Sequence, residues 1–354
     1  MNNALQFLRL CGKSPQWLQG FAGGMTALLL MGGNLCWPTR AEVRHSLPHA
    51  GAIVQLQGLD VPQPRVKGAA TLSLQRLEQT QVFTTVGMLS YLPSRFLIDT
   101  GASTSMLSQE TVETLKLAGT TIPSDRLSSA VAGNECASMN ATLHALPTLK
   151  MDAVEIRGAS ALRFEKTAIP EGLSGVMGMD ILNHFDLQFN PAAQTLQLSA
   201  PTALPASMVA SAIPLRQKLG VFLATVTINS QGPFTMLLDT GADGTFISQP
   251  LASRLNLDAR ARHPIQILGF CGLEPAERTQ ISSLKLQQQE QRNLEVVILS
   301  SPILKLLGVD GILGQNFLSK YYQYWRFTPY SSGGISQDGS LLLWPQNANK
   351  TLNR

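Results

Sequence analysis

Charge is scarce in this chain. Only 14% of its 354 residues are Asp, Glu, Lys or Arg, and 27 basic against 23 acidic residues leave a formal charge of +4. No dense basic run with interleaved aromatics occurs, so the electrostatic footprint that nucleic acid requires is missing and nucleic-acid binding is set aside. Histidine is rarer still. The five copies are His45, His49, His144, His184 and His263, and neither a Gly-x-Ser-x-Gly elbow nor a phosphate-binding loop is present. Cysteine is limited to four residues. Cys11 and Cys36 fall in the N-terminal region, which leaves Cys136 and Cys271, too few for a disulfide scaffold. A long membrane span is also missing: the apolar, small-residue stretch from Phe21 to Cys36 has 16 residues, where a span needs about 20.

That stretch follows Arg9 and Lys13 and precedes Thr39-Arg40-Ala41, which offers small residues where a signal peptidase would inspect them. Residues 1–41 are therefore expected to be a signal peptide or a membrane anchor. The protein would be exported, periplasmic or extracellular, with residues 21–36 as its one route to membrane association. The remainder, with 44% hydrophobic residues overall, has the composition of a well-packed globular protein of two or three domains.

One four-residue string occurs twice. Asp99-Thr100-Gly101-Ala102 follows the apolar run Phe96-Leu97-Ile98, and Asp239-Thr240-Gly241-Ala242 follows Met236-Leu237-Leu238. Either copy alone reads as an ordinary strand-to-turn junction. The flanks repeat too: Val82-Phe83-Thr84-Thr85-Val86 matches Val221 to Val226 upstream, and Met106-Leu107-Ser108 matches Phe246-Ile247-Ser248 downstream. Gly175-Val176-Met177-Gly178-Met179-Asp180 corresponds to Gly311-Ile312-Leu313-Gly314-Gln315-Asn316. Gly178 lies 79 residues after Asp99, and Gly314 lies 75 after Asp239. One unit is written twice, 140 residues apart.

Short apolar segments bounded by turn residues make each unit β-rich. Strands are expected at Phe83 to Met88, Arg95 to Asp99, Ala141 to Leu143, Val154 to Ile156, Asp186 to Phe189, Thr195 to Leu198, Phe222 to Ile228 and Phe234 to Asp239, with Leu341 to Trp344 as a final candidate. Short helices are expected at Gln109 to Leu117, Met179 to Phe185, Pro250 to Leu255 and Gln315 to Tyr321. The proline-bearing stretch 42–79 reads as a linker or N-terminal extension with one strand near Ala52 to Leu56, and 200–212 reads as a connector. The two repeats are then 80–199 and 213–347, followed by a tail at 348–354.

Apolar-apolar-Asp-Thr-Gly-Ala, followed about 75 residues later by Gly-apolar-apolar-Gly-x-Asn/Asp, resembles the retropepsin-like aspartic proteases, the family containing the retroviral enzymes. Those enzymes are homodimers with one Asp per subunit. This chain looks like two retroviral-type halves fused into the one-chain arrangement of pepsin-like enzymes, over roughly residues 80 to 198 and 213 to 328. The resemblance implies a mainly β, bilobal acid-protease-like fold of two pseudo-twofold-related β-barrel-like lobes with short helices. It implies a monomer with pseudo-dimeric lobes; a homodimer in which each lobe meets its copy in another chain is the alternative.

The resemblance also implies roles. Asp99 and Asp239 would form a catalytic dyad acting on an extended peptide or protein substrate, with no cofactor and no metal. Two carboxyls about 3 Å apart share one proton, so one can accept a proton from water while the other donates to the scissile carbonyl. Gly101 and Gly241 let the chain turn sharply, and by resemblance Thr100 and Thr240 would hydrogen-bond across the pseudo-twofold axis. Ala102 and Ala242 stand where pepsin-like turns often place a hydroxyl. Without that donor the carboxylates are less stabilised, which predicts an acidic to mildly acidic optimum. Candidate flap tips are Ala132-Gly133-Asn134 and Leu268-Gly269-Phe270-Cys271-Gly272, with Phe270 as either a lid residue or an exposed loop aromatic. Cys136 and Cys271 would be either an inter-flap disulfide or two free thiols. A non-catalytic peptide-binding module on the same scaffold is the rival to an enzyme.

Overall fold

The structure is a computed structural model and describes residues 48–49, 52–59, 61–78, 80–131, 140–165, 169–327 and 338–346. The expectations for residues 1–41, for the tail, and for Gly133 and Cys136 lie outside the described residues.

Short apolar strands buried on both faces and joined by tight turns explain why the chain is mainly β. In Val221–Ile228 and Gln231–Leu238 the buried apolar residues are Val221, Phe222, Leu223, Ala224, Val226, Ile228, Phe234, Met236, Leu237 and Leu238. The two strands pair antiparallel around Asn229 and Ser230, both at positive φ, as a two-residue hairpin loop with right-handed strand twist demands. Among the described residues the strands form a fourteen-stranded sheet, an eleven-stranded sheet and a two-stranded ribbon. The first repeat builds most of the eleven-stranded sheet and the second builds most of the larger one.

Each repeat forms the same local knot. The strand leading to Asp99 receives Gly175–Met177 as a parallel neighbour, and the strand leading to Asp239 receives Gly311–Leu313 in the same way. The following short helices match as well. Gln109–Thr114 is capped by the Ser108 hydroxyl, which accepts from Thr111 N at 3.2 Å, and Gln249–Arg254 is capped by Ser248, which accepts from Leu251 N at 3.2 Å. The helices beginning at Met179 and Gln315 are shorter than the sequence suggests, ending at Leu182 and Leu318. A further helix, Pro302–Leu307, is absent from the sequence reading. Its signals were present: Ser301 caps it, proline occupies its first turn and Gly308 ends it at φ 59°.

The halves are joined by strands rather than merely linked. Asp186–Asn190 and Thr195–Ser199, read from sequence as closing the first repeat, leave it and enter the larger sheet, where Leu187 pairs with Trp325 of the second half. Ala70–Ser73 adds to the outer edge of Thr195–Ser199, and Asp338–Pro345 completes the sheet beside Tyr321–Phe327. The reading of 42–79 as a linker with one strand therefore needs correction. Besides Ala52–Leu56, this stretch contributes Pro48–His49, Arg65–Lys67, Ala70–Ser73 and Gln75–Arg76 to the sheets. The misreading has a physical cause: these strands are short, and their partners are supplied by residues far away in the chain.

Trp325, fully buried, sits between Leu187 and Leu341 in this shared sheet, and its indole N–H donates to the Gln323 Oε1 at 3.0 Å. Beside it, Asp186 Oδ2 accepts from Thr202 N at 3.1 Å and Thr202 Oγ1 at 2.9 Å and lies 3.5 Å from Arg326 Nε, tying the connector to the sheet. Trp325→Ala is expected to cost about 3–5 kcal/mol. Because the sheet belongs to both halves, denaturant titration should still show one transition; two separate transitions would mean that the halves fold independently.

Candidate active site

The two Asp-Thr-Gly turns meet where the halves face each other. Asp99, Thr100, Asp239 and Thr240 are all fully buried. Thr100 Oγ1 donates to Leu238 O at 2.9 Å and accepts from Thr240 N at 3.0 Å; Thr240 Oγ1 donates to Ile98 O at 2.8 Å and accepts from Thr100 N at 3.0 Å. Four buried hydrogen bonds thus cross between residues 140 positions apart. Each hydroxyl is used both as donor and as acceptor, which only Ser or Thr can do at this size.

Glycine follows threonine because of what lies opposite. A Cβ on Gly101 would stand 2.3 Å from Asp239 Cγ, and one on Gly241 would stand 2.5 Å from Asp99 Cγ. Each turn leaves room for the other turn's carboxyl. Asp99 Oδ1 accepts from Gly101 N at 2.7 Å, while Asp239 Oδ1 accepts from Gly241 N at 2.8 Å and Ala242 N at 3.1 Å. The remaining oxygen of each, Oδ2, is buried without a protein donor. Two buried carboxyls on turns this close repel when both are charged, so the site favours keeping a proton on the pair.

Burial, then the charge of Asp239, push Asp99 well above the usual carboxylate range. Burial pushes Asp239 up to about 6, against the lowering effect of its backbone donors. The pair titrates as a unit, so these shifts describe a dyad that keeps one proton to higher pH than isolated aspartates would.

The Gly-apolar-apolar-Gly segments hold the turns from behind. Asp99 N donates to Met177 O at 3.1 Å and Met179 N to Ala102 O at 2.8 Å; the second half repeats this with Asp239 N to Leu313 O at 3.0 Å and Gln315 N to Ala242 O at 2.8 Å. A Cβ on Gly178 would lie 2.9 Å from Ala102 O, and one on Gly314 would lie 2.6 Å from Ala242 O, so both glycines permit this contact. The motif's last residue braces the adjacent loop. Asp180 accepts from Ser105 N at 2.9 Å and Ser105 Oγ at 2.6 Å, and Asn316 accepts from Thr245 Oγ1 at 2.6 Å. Burial raises the Asp180 carboxyl to about 6.

The second flap candidate is a hairpin tip. Gly269 pairs with Gly272 across the two-residue loop Phe270-Cys271, between His263–Gly269 and the fifteen-residue strand Gly272–Leu286. Phe270 is 2% exposed and packs in a cluster with Ala52, Val54, Ala102 and Leu162, so it is not the exposed loop aromatic of one sequence reading. Cys271 is disulfide-bonded. A residue that sequence reasoning missed is Ser103, directly after the first Asp-Thr-Gly-Ala: its N–H and hydroxyl bind the backbone of Ala52 and Val54.

Raised carboxyl pKa values link folding to pH. The folded state keeps protons that unfolded aspartates, near about 3.9, release. The dyad's contribution to stability is therefore greatest below about pH 4 and declines as pH rises through about 6 and beyond. Asp239→Asn should flatten this decline between pH 4 and 8 in urea unfolding; an unchanged slope would contradict the assigned shifts.

The family model for gag-polyprotein putative aspartyl protease matches residues 87–184 and 224–320. No curated protein matches the chain. Among solved structures, the aspartic proteinase from Irpex lacteus is 12% identical, with 78% of this chain and 97% of that chain covered at a TM-score of 0.46. A retropepsin-like aspartic protease from Rickettsia conorii is 17% identical, with 38% of this chain and 90% of that chain covered at a TM-score of 0.27. The two matched regions together take in more than half of the sequence, each carries one Asp-Thr-Gly turn, and the chain belongs to the gag-polyprotein aspartyl protease family.

Proposed function

We propose that the protein is an aspartic endopeptidase whose dyad is Asp99 and Asp239. The observation that carries this reading is the facing of two buried carboxyls on turns locked together by Thr100 and Thr240. A pair that shares one proton has both functions that hydrolysis needs. The carboxylate takes a proton from a bound water as the water oxygen attacks the peptide carbonyl carbon, and the carboxylic acid gives its proton to the carbonyl oxygen. Collapse of the resulting diol, with proton transfer to the departing nitrogen, breaks the C–N bond. No metal or covalent intermediate enters this route. A peptide-binding module would have little use for a buried carboxyl pair that must hold a proton.

The substrate is an extended peptide whose backbone pairs with strand edges between the halves. The shared sheet makes one chain sufficient for one site, so the protein acts as a monomer. Its N-terminal segment directs export to an oxidising compartment, where the bonded state of Cys271 is expected and Cys136 is the partner that the sequence offers it. Thiol counting under denaturing, non-reducing conditions should find neither cysteine free in the mature protein; two reactive thiols would exclude that pairing.

With a peptide library across pH 3 to 8, Asp99→Asn and Asp239→Asn should each reduce cleavage by roughly 10²–10⁴. Residual cutting equal to the parent in either variant would remove that residue from the reaction. Opening the cleft to water lessens the burial that raises both carboxyls, so activity should peak at mildly acidic pH and fall in alkali as the shared proton is lost.

A further inference from the structure

The stretch just before the folded halves does not run along the outside. Pro48–His49 pairs parallel with the second hairpin, Pro48 opposite Leu268 and His49 opposite Gly269 at its tip. Ala52–Leu56 pairs antiparallel with Leu127–Val131 of the first half, in unbroken register from Ala52 opposite Val131 to Leu56 opposite Leu127. On its other side the same strand meets the catalytic loop. Ala52 bridges to Ala102, three residues past Asp99, Ser103 N donates to Ala52 O at 2.9 Å, and Val54 N donates to Ser103 Oγ at 2.8 Å. The Gln55 side chain reaches across to Leu219 O at 3.1 Å.

Side chains alternate between the halves. Ala52 and Val54 lie in the apolar cluster of the first half, with Ala102, Met106 and Phe270. Ile53 lies in that of the second, with Leu237, Ala242, Phe246 and Ile267. All three are at most 3% exposed. An extended strand sends successive side chains to opposite faces, so this is how a peptide between two lobes is expected to be gripped: backbone bonds on both edges, pockets taken alternately.

We propose that Ala52–Leu56, with Pro48–His49 ahead of it, is a tethered, substrate-like occupant of the cleft, which keeps the intact chain closed, and that the peptides it excludes carry small or β-branched apolar residues at the positions of Ala52, Ile53 and Val54. The inference rests on the endopeptidase reading for what the cleft does, but not for what fills it. Tethering gives the segment an effective concentration in the millimolar range, enough to exclude free peptides of ordinary affinity until the chain is cut or the segment withdraws.

The test uses the full chain with a recognition site for a specific endoprotease inserted in the loop after Gly58, so that the protein folds before it is cut. After cutting and removal of the released N-terminal piece, hydrolysis of a peptide library should rise at least tenfold over the uncut protein, and the synthetic peptide of residues 47–57 should inhibit it. Equal activity before and after removal, with the Asp239→Asn form inactive in both states, would overturn the proposal while leaving the protease reading intact. Binding is measured separately in the Asp99→Asn background, with the same peptide carrying a fluorophore. The cut form should bind it, the uncut form should bind at least tenfold more weakly, and an Ile53→Asp peptide should not bind. Binding without any hydrolysis by the aspartate-bearing protein would retain the occupant and reject the protease reading. No binding by the cut form, with its fold verified by circular dichroism, would overturn the occupant.

Discussion

Two threonine hydroxyls, each spanning to the opposite half, fix the geometry on which the site depends. Neither turn could hold its carboxyl against the other without them, because buried carboxyls at contact distance repel as soon as both ionise. Thr100 and Thr240 oppose that repulsion through bonds that exist only when the halves are docked. Gly101 and Gly241 supply the space, since any side chain there would strike the facing carboxyl. The raised pKa values follow from this enforced proximity together with burial, and the chemistry of the pair follows from the proton it must retain.

The same docking is secured at a distance by the shared sheet. Strands from the first half, from the stretch before it and from the C-terminal end lie side by side, with Trp325 buried among them. A pseudo-dimer made this way does not depend on subunit concentration, whereas two separate chains would. The stretch before the first half is continuous with that design: it pairs with the tip of the second hairpin, with Leu127–Val131 and with Ala102 in the loop after Asp99.

Much of this was legible in the sequence because duplication makes weak signals strong. A single Asp-Thr-Gly means little, but two copies with matching flanks and matching Gly-apolar-apolar-Gly segments announced a repeated β unit and the fusion of retroviral-type halves. The capped helices after Ser108 and Ser248 were legible for the same reason. Residues 42–79 were not. Their strands are short, and Arg65–Lys67 and Gln75–Arg76 are largely exposed, so they carry little apolar pattern. Ser103 carried no signal either, since nothing in a sequence tells which backbone a hydroxyl will meet.

By itself the sequence determined the period-two strands, the turns and the chemical identity of every group at the site, because these rest on local sterics and side-chain type. Only the tertiary structure decided that the two carboxyls are buried on facing turns, that Asp186–Asn190 crosses into the other half's sheet, that Phe270 is buried, and that Ala52–Leu56 lies between the halves. Each of these is a contact between residues far apart in the chain. Such contacts are selected by the packing of the whole molecule, and local propensity has no information about them.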